Sequence, residues 1–160
     1  MIIIGYTGIG KSTLARRNPK FVDLESSCFF VNENRAENWY VIYCQLAEHL
    51  SEQGKIVFVS SHEDVQRYLR LSNETIVYVF PDIGLKDEWV NKLRERYFSD
   101  KSEKNLKAYK RARDHFEEDI KALDCSVDYN IFGEFQLKLN NIDYDLEASI
   151  IHLINTEHIS

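Results

Sequence analysis

The chain has 160 residues, 44% of them hydrophobic and 29% charged, with a formal net charge of −6. That length and apolar content predict one globular domain and exclude a disordered chain. The acidic balance speaks against indiscriminate nucleic-acid binding.

In chain order, Ile2-Ile3-Ile4 is a short apolar run ending in Gly5, the pattern of a buried parallel strand. Residues 1–5 are too short and lack the basic flank of a signal peptide. Phe21-Val22-Asp23-Leu24 reads as a second strand. Trp39, Ile42, Leu46 and Leu50 recur at helical spacing and stop at Gly54, which predicts a helix with that stripe turned inward. Ile56-Val57-Phe58-Val59 is the clearest strand, a short helix follows near 63–71, and residues 75–80 form a strand ended by Pro81. Trp89, Leu93 and Tyr97 mark another helix, and Leu106, Tyr109, Ala112, Phe116, Ile120 and Leu123 lie on one stripe of a longer one. Phe135, Leu137 and Leu139 alternate as a last strand, and Leu146, Ile150, Leu153 and Ile154 mark a terminal helix. No apolar run reaches the ~20 residues of a membrane span. Cys28, Cys44 and Cys125 are odd in number and form no CxxC pair, which points to a reducing cytoplasm and away from disulfides or zinc. The alternation of elements predicts an α/β domain with a parallel sheet, helices on both faces, and ligands at the carboxyl ends of the strands.

Gly5-Tyr6-Thr7-Gly8-Ile9-Gly10-Lys11-Ser12-Thr13 fits the Walker A pattern G-x-x-x-x-G-K-[ST] in full, with a strand before it and a helix after it. Glycines permit positive φ and a close backbone approach, so successive N–H groups can face one concavity. The motif predicts that Gly5, Gly8, Ile9, Gly10, Lys11, Ser12 and Thr13 hold a nucleoside triphosphate. Lys11 would bridge the β- and γ-phosphates and the Ser12 hydroxyl would coordinate Mg²⁺. A GTPase would want an N-K-x-D base reader, which the sequence lacks. An ATPase motor would want an acidic end to its Walker B strand, where this chain has Ser60-Ser61-His62.

The spacing G-x-x-G-x-G-K-S-T resembles the P-loop small-molecule and nucleoside monophosphate kinases. Val57-Phe58-Val59-Ser60-Ser61-His62, running on into Tyr68-Leu69-Arg70, is similar to a segment of gluconate kinases. Lys92-Leu93-Arg94-Glu95-Arg96 is similar to the R-L-x-x-R that opens the LID of that group, with lysine in place of the first arginine. The whole chain also looks like the short nucleotide-kinase-like proteins of bacteriophages. The resemblance implies a three-layer P-loop NTPase fold with five parallel strands in the order 2-3-1-4-5 and a LID at about 86–113. It implies ATP and Mg²⁺ as cofactors and transfer of the γ-phosphate to a small acceptor, first of all a nucleoside monophosphate. The first helix departs from the pattern: only six residues separate Lys11 from Asn18-Pro19, about two turns.

Asp23 and Glu25 are similar to the D-x-D of shikimate-type kinases. Asp23 would organise Mg²⁺ or the acceptor and Glu25 would bind the acceptor, unless the pair caps the following turn. Arg35 lies where this group binds its acceptor and would grip an acceptor phosphate, whereas Trp39 fits core packing. Lys92 and Arg96 are i,i+4 neighbours expected to close over the transferring phosphoryl group, with Arg94 nearly opposite and Arg111 or Arg113 completing the clamp. The plainer alternative is a solvated face with Glu88 pairing Lys92. His62 is either a substrate contact or a cap. Residues 86–113 carry ten Lys+Arg against five Asp+Glu, while 1–85 carry eight against ten and 114–160 two against eleven. Such a segment in an acidic chain suits an anion clamp. The expected function is an ATP-dependent phosphotransferase. The alternatives are a non-catalytic ATP-binding module or nucleotide-gated regulator, and a 5′-polynucleotide kinase.

Overall fold

Ile2, Ile3, Ile4, Val57, Phe58 and Val59 have no solvent exposure. Alternate side chains of a strand point to opposite faces, so strands buried at every position must be covered on both sides. The computed structural model describes residues 1–31, 34–124 and 133–159, with residues 30, 31, 34 and 35 described by their backbone. The elements are β1 (Ile2–Gly5), α1 (Lys11–Arg17), β2 (Phe21–Asp23), β3 (Phe30–Val31), β4 (Asn34–Arg35), α2 (Trp39–Glu52), β5 (Ile56–Val59), α3 (Glu63–Leu69), β6 (Ile76–Pro81), α4 (Lys86–Ser99), α5 (Glu103–Asp124), β7 (Glu134–Leu139) and α6 (Leu146–Thr156).

Five strands form one sheet in the order β2-β5-β1-β6-β7, and every pairing in it is parallel. Among the sheet strands this is 2-3-1-4-5, the expected order. The register sets Ile4 between Val59 and Tyr78, so β1 is central and ends level with its neighbours. The antiparallel pair β3–β4 stands apart from the sheet and was not foreseen; two residues per strand are too few to show a period.

Helix α2 corrects the expected inward stripe. Its buried residues are Trp39, Tyr43, Cys44, Ala47 and Ser51, whereas Ile42 is 63% and Leu46 40% exposed. Small Cys44 and Ala47 let the helix approach the sheet closely, and the aromatic pair sits at its start. There Phe29, Trp39 and Tyr43 pack ring against ring at centroid distances of 5.4–6.2 Å. The Tyr43 hydroxyl donates to the Leu24 carbonyl at 2.7 Å and accepts from the Ser60 amide at 2.9 Å. One side chain thereby ties together the carboxyl ends of β2 and β5.

Helices α4 and α5 pack as a pair, burying Trp89 and Leu93 on one and Ala112, Phe116, Ile120 and Leu123 on the other. Cys28 and Cys44 are free thiols; Cys125 lies outside the described residues. Among the described residues no helix is long and apolar enough to cross a membrane.

The α2 register has a direct test. Ala47→Leu should cost about 1–3 kcal/mol by overpacking, while Ile42→Gln should stay within about 0.5 kcal/mol of the parent. Urea unfolding of the two variants measures both.

Candidate functional site

The loop 5–13 leaves the carboxyl end of the central strand and turns straight into α1. The turn needs left-handed backbone at two positions, Gly8 (φ 84°) and Gly10 (φ 100°). The Lys11 ammonium reaches back to donate to the Gly5 carbonyl at 2.7 Å. Two hydrogen bonds fix the loop from outside: the Trp89 indole donates to the Thr7 carbonyl at 3.0 Å and the Tyr144 hydroxyl to the Ile9 carbonyl at 2.8 Å. The concave side faces a cavity of about 550 Å³.

The far wall of that cavity comes from the end of β2 and from the turn between α4 and α5. Ser12 donates to the Asp23 carboxylate across the cavity edge. Glu25 pairs with Lys104 at the start of α5, which joins the two walls. Arg96 donates to Asn105 Oδ1 at 2.6 Å, and the Asn105 amide is itself bound to Asp100. Lys11, Arg16, Arg96 and Lys104 face Asp23, Glu25 and Asp100 among the described lining residues, four cations against three carboxylates. Burial pushes the Lys11 ammonium down to about 8, with Lys104 and Arg96 adding to the shift and Asp23 and Glu25 opposing it. An anion entering this cavity would restore that proton affinity.

The structure brings together Gly5, Gly8, Ile9, Gly10, Lys11, Ser12, Thr13, Asp23, Glu25 and Arg96. It separates Lys92 from them. The Lys92 ammonium lies 4.5 Å from the Trp89 ring centroid and 4.8 Å from that of Tyr144, donates to the Tyr144 hydroxyl at 3.2 Å, and lines a different recess behind the loop. Burial, together with nearby Arg96, lowers its proton affinity. It is a packing cation, held by the electron-rich ring faces. The expected help from Arg111 or Arg113 is corrected too: Arg111 is bound to Asp119 and Arg113 to Asp114, and neither lines this cavity. Arg94 points away and bonds Asn91. The expected role of Arg35 falls outside the described side chains. His62 is exposed and meets Trp39 edge-on at 5.4 Å.

Part of the basic segment 86–113 is anchored in the core. Trp89 and Leu93 are 0% and 1% exposed, so swinging the segment out as one body would return two large apolar side chains to water, about 1.5–3 kcal/mol each. What stands free of that packing is the exposed turn 99–101. Sequence reasoning missed Trp89, Lys104, Asn105 and Tyr144 as parts of the site. The charge count of the basic segment contained Lys104; no local pattern marks the others.

No protein-family model matches the chain, and no curated protein matches it. A solved structure of an uncharacterized protein from Eubacterium ventriosum ATCC 27560 is similar at 15% identity over 97% of each chain, with a TM-score of 0.49. That likeness is too slight to bear on function.

Gly8 tests the loop geometry. A Cβ there would lie 2.9 Å from Leu93 Cδ2 and 3.2 Å from the Trp89 indole nitrogen, on backbone that L-residues avoid. Gly8→Ala should therefore destabilise by about 1–3 kcal/mol, whereas Gly54→Ala, with open space around it, should cost only its positive-φ strain. Thermal melts of the two variants compare them.

Proposed function

We propose that the chain is an ATP-dependent phosphotransferase of the P-loop kinase kind, acting on a small acceptor. One observation carries this reading. A glycine loop, the half-buried Lys11 ammonium, the hydrogen-bonded Ser12–Asp23 pair, Arg96 and Lys104 all face one cavity at the carboxyl end of a central parallel strand. The strand order with this loop after the central strand supports the P-loop assignment.

Lys11 and the loop amides are suited to the β- and γ-phosphates, and Arg96 to the charge on the group in flight. The donor set fits Mg²⁺, since a hydroxyl and a carboxylate in mutual contact are hard oxygen ligands and Mg²⁺ takes its remaining ligands from water and phosphate. Ser12 and Asp23 would hold the ion, which would neutralise phosphate charge. In the transfer, the acceptor hydroxyl oxygen bonds the γ-phosphorus as the bond to the β–γ bridging oxygen breaks. ADP leaves with that electron pair, and the hydroxyl proton passes to an oxygen of the transferred phosphoryl group. The Glu25–Lys104 pair and the turn 99–101 border the cavity, the part of the basic segment suited to cap it against water.

Calorimetric titration with Mg-ATP tests the binding. Lys11→Ala should weaken it about 10- to 100-fold, the scale of a charged hydrogen bond, and should lower the melting temperature by about 2–4 °C, since the Gly5 carbonyl loses its partner. The depressed Lys11 value also sets a pH dependence. Below about pH 8 the free protein already carries the ammonium. Above it, each bound triphosphate must draw in a proton, so affinity falls up to tenfold per pH unit. At pH 9 the titration should report uptake of close to one proton in the parent and none in Lys11→Ala.

Arg96→Ala should lower turnover about 100-fold or more with little change in ATP affinity, because its contact strengthens as charge moves onto the transferring group. Arg94→Ala, on the outer face, should change neither. Single-turnover ADP release with a working acceptor separates the two.

A further inference from the structure

A second cavity, of about 610 Å³, opens beside the first at the carboxyl ends of β1 and β5. Thr7, Ser60 and Ser61 line both, so the two spaces share a border. Tyr6 and Leu123, each 2% exposed, are set deep in its lining, and Tyr6 packs edge-on against Phe116 at 5.8 Å. The Tyr6 hydroxyl is buried and has no hydrogen-bond partner among the described residues. A buried phenol without a partner is costly, and a ligand hydroxyl or carbonyl would relieve it.

The charge of this cavity is opposite to that of its neighbour. Among its described lining residues, Arg111 stands against Glu63, Glu118 and Asp119. The Arg111 guanidinium is already spent: its Nε donates to Asp119 Oδ2 at 2.8 Å and its second nitrogen to Oδ1. A fork filled by one carboxylate cannot also clamp a phosphate. Glu63 bonds Arg67 on the outer surface at 2.9 Å, and Glu118 bonds His115 at 3.1 Å. Both carboxylates are largely exposed, Glu63 at 86% and Glu118 at 77%, so solvent weakens these pairs, and what chiefly marks the cavity is that its single guanidinium among the described lining residues is already filled.

We propose that this second cavity is the acceptor subsite and that it takes a small polyhydroxylated compound without phosphate or carboxylate, such as an uncharged nucleoside or sugar. The proposal rests on the phosphotransferase reading of the neighbouring cavity and replaces the expected nucleoside monophosphate. A monophosphate in the second cavity would meet no open cation, since Arg111 and Asp119 satisfy each other, and would have Glu63 and Glu118 beside it; in the first it would compete with the triphosphate. A compound that bonds Tyr6 with one group can extend another hydroxyl past Thr7, Ser60 and Ser61 toward the γ-phosphorus. The bonds made and broken are those of the transfer given above, with ATP as co-reactant.

The test uses the full chain with Mg-ATP and two panels at equal concentration, reading ADP release. The first panel holds adenosine, thymidine, ribose and glucose; the second holds AMP, dTMP, gluconate and shikimate. At least one member of the first panel should raise ADP release about tenfold or more, and no member of the second should. Stimulation by any anionic compound overturns the assignment. So does stimulation by neither panel while calorimetry still shows ATP binding. Absence of ATP binding overturns the phosphotransferase reading itself, so the two failures are distinct. Tyr6→Phe, which removes only the unpartnered hydroxyl, should raise the melting temperature of the free protein and keep the parent ATP affinity, while raising KM for the stimulating compound about tenfold and changing kcat less than twofold. An unchanged KM places Tyr6 outside the acceptor's contacts and overturns the proposal.

Discussion

The carboxyl end of the sheet is organised by one ammonium group set against the last carbonyl of the central strand. Strand β1 is buried throughout, and its last residue, Gly5, borders the cavity, where its C=O needs a polar partner. Lys11 supplies it at 2.7 Å, six residues further along the chain. To bring Lys11 back that soon, the backbone has to reverse within loop 5–13, and the reversal is possible only because Gly8 and Gly10 accept positive φ. The loop's curvature, the helix start at residue 11 and the position of the charge follow from one contact. Holding a cation in that place then requires carboxylates nearby, and Asp23 and Glu25, at and just past the end of the adjoining β2, meet the need.

The same economy explains the divided basic segment. Lys92 and Arg96 share a helix face, yet they border different spaces. One turn of helix, about 5.4 Å, carries the second beyond the loop edge into the cavity and leaves the first behind the loop, between Trp89 and Tyr144. Both aromatic side chains also bond loop carbonyls, so the Lys92 layer acts as a buttress. It holds the backbone that presents Lys11. Swinging that helix away would expose Trp89 and Leu93, so motion over the cavity costs least in the turn at its far end.

The sheet was legible because its signals are local. Ile2-Ile3-Ile4 and Ile56-Val57-Phe58-Val59 are buried at every position and need no tertiary information to be read as strands, and the glycine spacing announces the loop. The face of α2 was not legible. Ile42 and Leu46 lie at helical spacing from Trp39 just as Tyr43 and Ala47 do, and only the closeness of the sheet selects the set with small residues. The pairing of Glu25 with Lys104 spans 79 positions, and nothing near either residue marks it. The roles of Trp89 and Tyr144 were hidden for the same reason: a side chain that bonds the carbonyl of a distant loop looks, in sequence, like any other core aromatic. Lys92 was misread because its placement depends on those two rings.

Placing the two cavities side by side with opposite charge gives the arrangement a further consequence. A phosphotransferase must bring a hydroxyl to a polyanion while keeping a second polyanion out of the hydroxyl's place. In the reading proposed above, the first cavity attracts phosphate through Lys11, Arg96 and Lys104, and the second offers it no open cation and keeps Glu63 and Glu118 beside it. The Arg111–Asp119 pair matters in this respect for what it prevents, since an open guanidinium beside Tyr6 would draw a nucleotide into the wrong space. Discrimination then comes from repulsion as much as from contact. The buried Tyr6 hydroxyl adds the positive half, a polar atom that an uncharged hydroxylated compound satisfies without bringing in a charge. The border of Thr7, Ser60 and Ser61 carries no charge of its own, so the acceptor oxygen can cross it at little electrostatic cost.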